Sequence, residues 1–162
     1  MSRCFSSSLN TTFDNTGGAI TTTDSAITID HSGAVKVGGA LSSGAGDVDI
    51  DSTSTVALNN SITTTSGQVS IDASGQTTVA EAGDITAGGA VIFGANKSGT
   101  LTTASEITTT DDNVTFTNAV TLQGDVEIDT TSSGNILFSS TVATGDNNLT
   151  LDAGEYGDIT AD

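Results

Sequence analysis

The sequence predicts an all-β chain, a right-handed parallel β-helix (β-solenoid) of about seven coils of 21–23 residues with three short strands per coil. Three observations carry that expectation. Apolar residues recur in three columns at the coil interval, the local hydrophobic pattern has period two, and glycine returns at a fixed corner.

The first column runs Phe5, Ile27, Val48, Val69, Val91, Val114, Ile136, Ile159, at spacings of 22, 21, 21, 22, 23, 22 and 23. The second runs Phe13, Val35, Val56, Val79, Leu101, Val120, Val142. The third runs Ile20, Leu41, Ile62, Ile85, Ile107, Ile128 and then Leu149 or Leu151. Alternation around these positions, as in Val48-Asp49-Ile50-Asp51 and Val126-Glu127-Ile128-Asp129, turns one to three side chains of each strand inward. Ile-Thr-Thr-Thr recurs at 20–23, 62–65 and 107–110, two coils apart each time.

The corners agree with the columns. Two residues before a first-column position stand Gly46, Gly67, Gly89, Gly134 and Gly157, with Ser25 and Asp112 as exceptions. A glycine repeated at one place in every coil reads as a turn that needs positive φ. Insertions of one or two residues move between corners, which solvent-facing loops tolerate.

Stacking follows from the shortage of apolar side chains in any single coil. In register, equivalent strands bond at roughly 4.8 Å and like residues pile into columns, giving a rod about 34 Å long. The crossover rule favours the right hand. An antiparallel sandwich also uses short strands, but it gives no reason for a 21-residue register to persist along the chain. The expected organisation is an N-terminal extension over 1–4, solenoid repeats over 5–158 and the opening of a further coil over 159–162.

Composition has two sides. Leu, Ile, Val and Phe make up only 22% of the 162 residues and the net charge is −17, both of which lean towards disorder. Against that, there is no proline, and 53 residues are β-branched (30 Thr, 12 Ile and 11 Val). With Arg3, Lys36 and Lys97 as the only basic residues, a nucleic-acid backbone or anionic membrane is repelled. Calcium, cationic partners and neutral polymers are not. Cys4 is the single cysteine, so no intrachain disulfide forms. No apolar run reaches the roughly 20 residues of a spanning helix, so membrane insertion is not expected. The opening Met1-Ser2-Arg3-Cys4-Phe5-Ser6 lacks a signal-peptide core, and the chain is expected to be a segment of a longer exported protein.

A family resemblance is clearest in Ala119-Val120-Thr121-Leu122-Gln123-Gly124-Asp125-Val126-Glu127-Ile128-Asp129 and Gly134-Asn135-Ile136-Leu137-Phe138. It continues through Asn148-Leu149-Thr150-Leu151-Asp152-Ala153-Gly154 and Gly157-Asp158-Ile159-Thr160, and more loosely back to Phe13. These stretches resemble the β-helix repeats of large secreted bacterial surface proteins, the filamentous-haemagglutinin-like and autotransporter-type adhesins. The resemblance implies a secreted or cell-surface location and a stalk or fibre role, with a host or matrix surface as ligand.

Candidate chemistry is sparse. Asp30, Asp51 and Asp72 follow inward Ile29, Ile50 and Ile71 at 21-residue intervals, so they should form an outward column with Asp49 beside them. Such a face is either solvated or a loose calcium site, and calcium is the one candidate cofactor. The glycine-rich nine-residue calcium repeat is not present. Paired carboxylates can also cleave glycosides. Here basic residues and sugar-stacking aromatics are too few to support catalysis, and no enzyme activity is expected. His31 reads as a solvated turn residue and Cys4 as a loose terminal thiol without a partner motif. An alternative ligand face is offered by Thr21, Thr23, Thr63, Thr65, Thr108 and Thr110, outward-facing threonines of the kind that bind ice or a polymer. The array is gapped by Ser42, Gly44, Thr86, Gly88, Asp129 and Thr131, and strand propensity alone explains much of it. Asn-x-Ser/Thr triplets at Asn10, Asn59, Asn96, Asn113 and Asn148 are expected by chance among 30 Thr.

The functional expectation is therefore a non-enzymatic, extracellular structural or adhesive β-helix segment. Coil edges at Phe5 and Ile159 should favour end-to-end self-association into filaments.

Overall fold

The computed structural model describes residues 3–7, 11–96 and 98–162. Over these the chain is all-β, three parallel sheets wound as a β-solenoid of about seven turns. The first sheet holds β1 (Arg3–Ser7), β4 (Ile27–His31), β7 (Val48–Ser52), β10 (Val69–Ala73), β13 (Val91–Phe93), β16 (Val114–Phe116), β19 (Ile136–Phe138) and β22 (Ile159–Ala161), in that spatial order. The second holds β2 (Phe13–Asp14), β5 (Val35–Val37), β8 (Val56–Leu58), β11 (Thr77–Val79), β14 (Leu101–Thr103), β17 (Val120–Leu122) and β20 (Val142–Ala143). The third holds β3 (Ile20–Thr21), β6 (Leu41–Gly44), β9 (Ile62–Thr64), β12 (Ile85–Ala87), β15 (Ile107–Thr109), β18 (Val126–Asp129) and β21 (Leu149–Asp152). Each strand from β1 to β19 pairs with the one three further along the chain, one coil away.

The period-two pattern explains which side chains fill the interior. In β7, Val48, Ile50 and Ser52 are buried while Asp49 and Asp51 are half-buried on the outside. Like stacks on like: the rings of Phe93 and Phe116 lie 5.4 Å apart, those of Phe116 and Phe138 4.7 Å apart, each pair within 5° of parallel. These separations match the strand spacing, as identical residues on successive coils require.

Strand pairing corrects two columns. Phe5 lies opposite Ile29, and it is Arg3 that faces Ile27. Thr77 pairs with Val56 and Leu101, whereas Val79 pairs with Leu58 and Thr103. Threonine has the branched shape of valine, so a buried Thr77 keeps the register that a search for apolar residues alone passes over. In the third column Ile128 pairs with Leu151, and Leu149 with Val126.

A polar column runs inside one corner. The hydroxyls of Thr22, Ser43, Thr64, Thr109 and Thr130 donate to the carbonyls of Ser25, Gly46, Gly67, Asp112 and Gly134. The turn into the next coil is thereby fastened from within, and among the described residues no buried side-chain polar atom lacks a partner. Ala87, the register partner of Thr109, shows that the corner also accepts a methyl group. Thr64→Ala is accordingly expected to cost about 1 kcal/mol, a fall of roughly 2–4 °C in the thermal midpoint. An unchanged midpoint would remove the hydroxyl from the account of the corner.

A second ladder opens the strands. A side-chain oxygen of Asp47 accepts the backbone N–H of Gln68, Asn113 that of Asn135, and Asn135 that of Asp158, each at 2.8 Å. Asp84 does the same for Glu106 at 3.0 Å and Asp125 for Asn148 at 2.8 Å. Part of the acidity is thus structural, because these carboxylates satisfy N–H groups across coils.

The corner glycines recur for a different reason from the one expected. Positive φ falls at Gly44, Gly94, Gly145 and Gly154, not at Gly46, Gly67, Gly89, Gly134 or Gly157. At Gly67 a Cβ would meet the Gly46 carbonyl oxygen at 2.0 Å, and at Gly134 the Asp112 oxygen at 2.1 Å. At these two corners a side chain has no room, because consecutive coils touch backbone to backbone.

Candidate functional site

The aspartate face is assembled as the spacing implies, with one correction. Asp30 pairs with Asp51 and Asp51 with Asp72 in successive coils, and Asp49 stands two residues before Asp51 on the same outer surface. Asp72, expected to be open to solvent, is only 2% exposed. Its oxygens accept from the backbone N–H and the side-chain amide of Asn96, at 3.2 and 3.0 Å. The cause is a corner insertion. Gly94 still bonds to Ile71 and Gly99 to Ala73, and within that interval Asn96 lies over the carboxylate. Among the described residues, no group of three or more His, Cys, Asp or Glu converges tightly enough to hold a metal ion.

Burial, followed by the charges of Asp51, Asp72, Asp30 and Asp47, pushes the Asp49 carboxyl above its ordinary value of 3.8. Elsewhere hydrogen bonds act in the opposite sense. Thr16, with Lys36 at 3.1 Å, draws Asp14 down to about 2; Ser132 and Thr131 lower Asp111; Asn148 lowers Asp125. A carboxyl whose folded value is raised weakens the fold when charged, so its penalty is relieved as pH falls through that value. Asp49→Asn should therefore raise the midpoint at pH 7 by roughly 1–2 °C, a screened effect of about 0.5 kcal/mol. The advantage should shrink as the pH falls through the raised value and be gone below 3.8, the ordinary value. An equal difference at both pH values would show that charge is not its source.

The threonine face is divided between strand and corner. Thr21, Thr63 and Thr108 lie in β3, β9 and β15, in the outward register column Thr21, Ser42, Thr63, Thr86, Thr108, Asp129, Asp152. Thr23, Thr65 and Thr110 lie in the bends that follow those strands. The two members of each pair do not share one flat strand, and acidic residues replace threonine in the last two coils of the column.

His31 differs from its expectation as a solvated turn residue. It is the inward-facing end of β4, 3% exposed, with Nε2 engaged by the Thr11 carbonyl. Cys4 is exposed, and both residues border a hollow of about 430 Å³ with Phe5, Phe13 and Asp14. A furrow of about 590 Å³ that sequence reasoning missed runs past Glu81, Asp84, Glu106, Gln123 and Asp125, then continues beside Glu127 and Asn148. Its signal was available: Asp84, Glu106 and Glu127 each precede a third-column isoleucine, at intervals of 22 and 21. None of its lining residues is basic, and hydrogen bonds from Asn148 hold the Asp125 carboxyl below its ordinary value.

No known protein family, curated protein or solved structure matches the chain.

Proposed function

We propose that the chain is a non-catalytic structural segment, a stiff stalk or fibre portion of a secreted or surface-displayed bacterial protein with adhesive use. The observation that carries this reading is the unbroken stacking of three parallel sheets around filled apolar columns, from Ile27 to Ile136. A solid interior joined coil to coil transmits load along its axis and needs no ligand to hold its shape. The location rests on the resemblance of residues 119–160 to adhesin repeats. An acidic, nearly lysine-free outer surface suits exposure to solvent over contact with nucleic acid or anionic lipid. The divided threonine face supports ice or polymer binding less well, because such ligands need both hydroxyl rows on one plane.

Limited proteolysis of intact cells of the source organism, followed with an antibody to these 162 residues, tests the reading. The segment should be accessible and released without lysis. A segment protected until the cells are broken would contradict surface display. Turnover of neutral polysaccharides by the pure chain, abolished in Glu106→Gln or Asp125→Asn, would contradict a non-catalytic role.

A further inference from the structure

The chain carries a net charge of −17, yet one side of the rod is free of it. On the outer surface of the second sheet, from β8 to β20, the central column reads Ala57, Thr78, Thr102, Thr121, Ala143. The outward residues that flank these strands are Thr, Ala, Gln or Asn, and none is ionisable. The only charges on this sheet, Asp14 and Lys36, pair with each other at 3.1 Å. The other two sheets differ: the first bears Asp30, Asp49 and Asp51 outward, and the third Glu127, Asp129 and Asp152. The flanks of the uncharged face also alternate in size. Gln76 and Ala80 bracket β11, Thr100 and Ala104 bracket β14, and Ala119 and Gln123 bracket β17.

We propose that this face pairs with the same face of a second copy, the two rods lying side by side and parallel about a two-fold axis along their length. Such an axis reverses the strands but keeps each coil level with its counterpart. Gln76 then meets Ala80 of the second copy, Thr100 meets Ala104 and Gln123 meets Ala119, so each larger side chain faces a methyl group. Charge selects the same arrangement. The acidic furrow beside Ala104 and Gln123 comes over the second copy's corner at Thr53, Ser74 and Asn118, which has no acid among its described residues. In antiparallel rods furrow would face furrow, and like charges would oppose contact. A cationic partner is drawn to the acidic sides instead, and a glycan finds no aromatic ring here to stack on. Five coils at roughly 4.8 Å and five residues at about 3.3 Å cover about 400 Å² per copy. About 800 Å² in all makes a weak contact, strengthened as salt screens the flanking acids.

Sedimentation velocity at ~0.05 M and ~0.5 M salt and rising protein concentration reads the association. The wild type should form dimers whose proportion increases with both variables. Thr121 is exposed and faces its own counterpart across the axis, so Thr121→Asp should weaken dimerisation by about tenfold or more. Thr86→Asp adds the same charge to the outer side of the third sheet and should change it by less than about twofold. Circular dichroism confirms that each variant is folded. With Cys4→Ser as background, a mixture of Gln76→Cys and Ala80→Cys chains should form the mixed disulfide in preference to either like pair. Dimers that survive Thr121→Asp unchanged, or a preference for like pairs, would overturn the proposal. So would a folded chain that stays monomeric at high salt, including one whose migration neutral polysaccharide retards unless Thr121 is replaced, since the face would then belong to a glycan.

Discussion

Ile71→Asp lowers stability by about 4 kcal/mol or more, because the new carboxylate is buried without a partner. Ile71 is 1% exposed and lies between Ile50 and Phe93 in successive coils. Relief by protonation is incomplete, since a neutral carboxyl there still lacks a hydrogen-bond partner. Circular dichroism melts should show the midpoint falling by roughly 10 °C or more, or the cooperative transition lost. A neutral substitution would mean that the column does not form. Ser70→Asp is the matched control, since Ser70 faces outward in the same strand.

Gly67→Ala is the second large effect, expected at about 3 kcal/mol or more. The added methyl would lie 2.0 Å from the Gly46 oxygen and 2.4 Å from its carbon, with Asp47 N at 2.9 Å. All three are backbone atoms of the preceding coil and cannot rotate away, so the coils must part. Gly17→Ala, where nothing lies within 4 Å, should change stability by less than about 0.5 kcal/mol. Equal tolerance at both positions would contradict backbone-to-backbone contact at the corner.

Much of this architecture was legible in the sequence because a solenoid writes its contacts as a repeat. Val48, Val69 and Val91 are neighbours in space for the same reason that they recur along the chain. The failures mark where apolarity and register part company. Thr77 occupies a core position with a polar side chain, and Arg3 stands at the head of a column whose other members are apolar. Corner glycine was visible, but whether it serves φ or close approach depends on the coil beneath, which no local pattern encodes. The aspartate column was placed correctly up to Asp72. A loop inserted one coil later buried that residue, and only the path of the chain through Asn96 reveals it. His31 illustrates the same limit, since alternation from Ile27 and Ile29 already pointed it inward, while its polarity argued for solvent.

The central claim is a parallel, in-register stack in which each coil adds one strand spacing. It is tested most directly by pulsed electron-resonance distances between spin labels in one outward column. Thr28 is linked to Thr115 through Asp49, Ser70 and Ile92, four steps away, and to Thr160 through Leu137, six steps away. At roughly 4.8 Å per step the backbone separations are about 19 Å and about 29 Å, and each coil skipped should add the same increment. Distances that do not grow with the number of coils between the labels would contradict the stack.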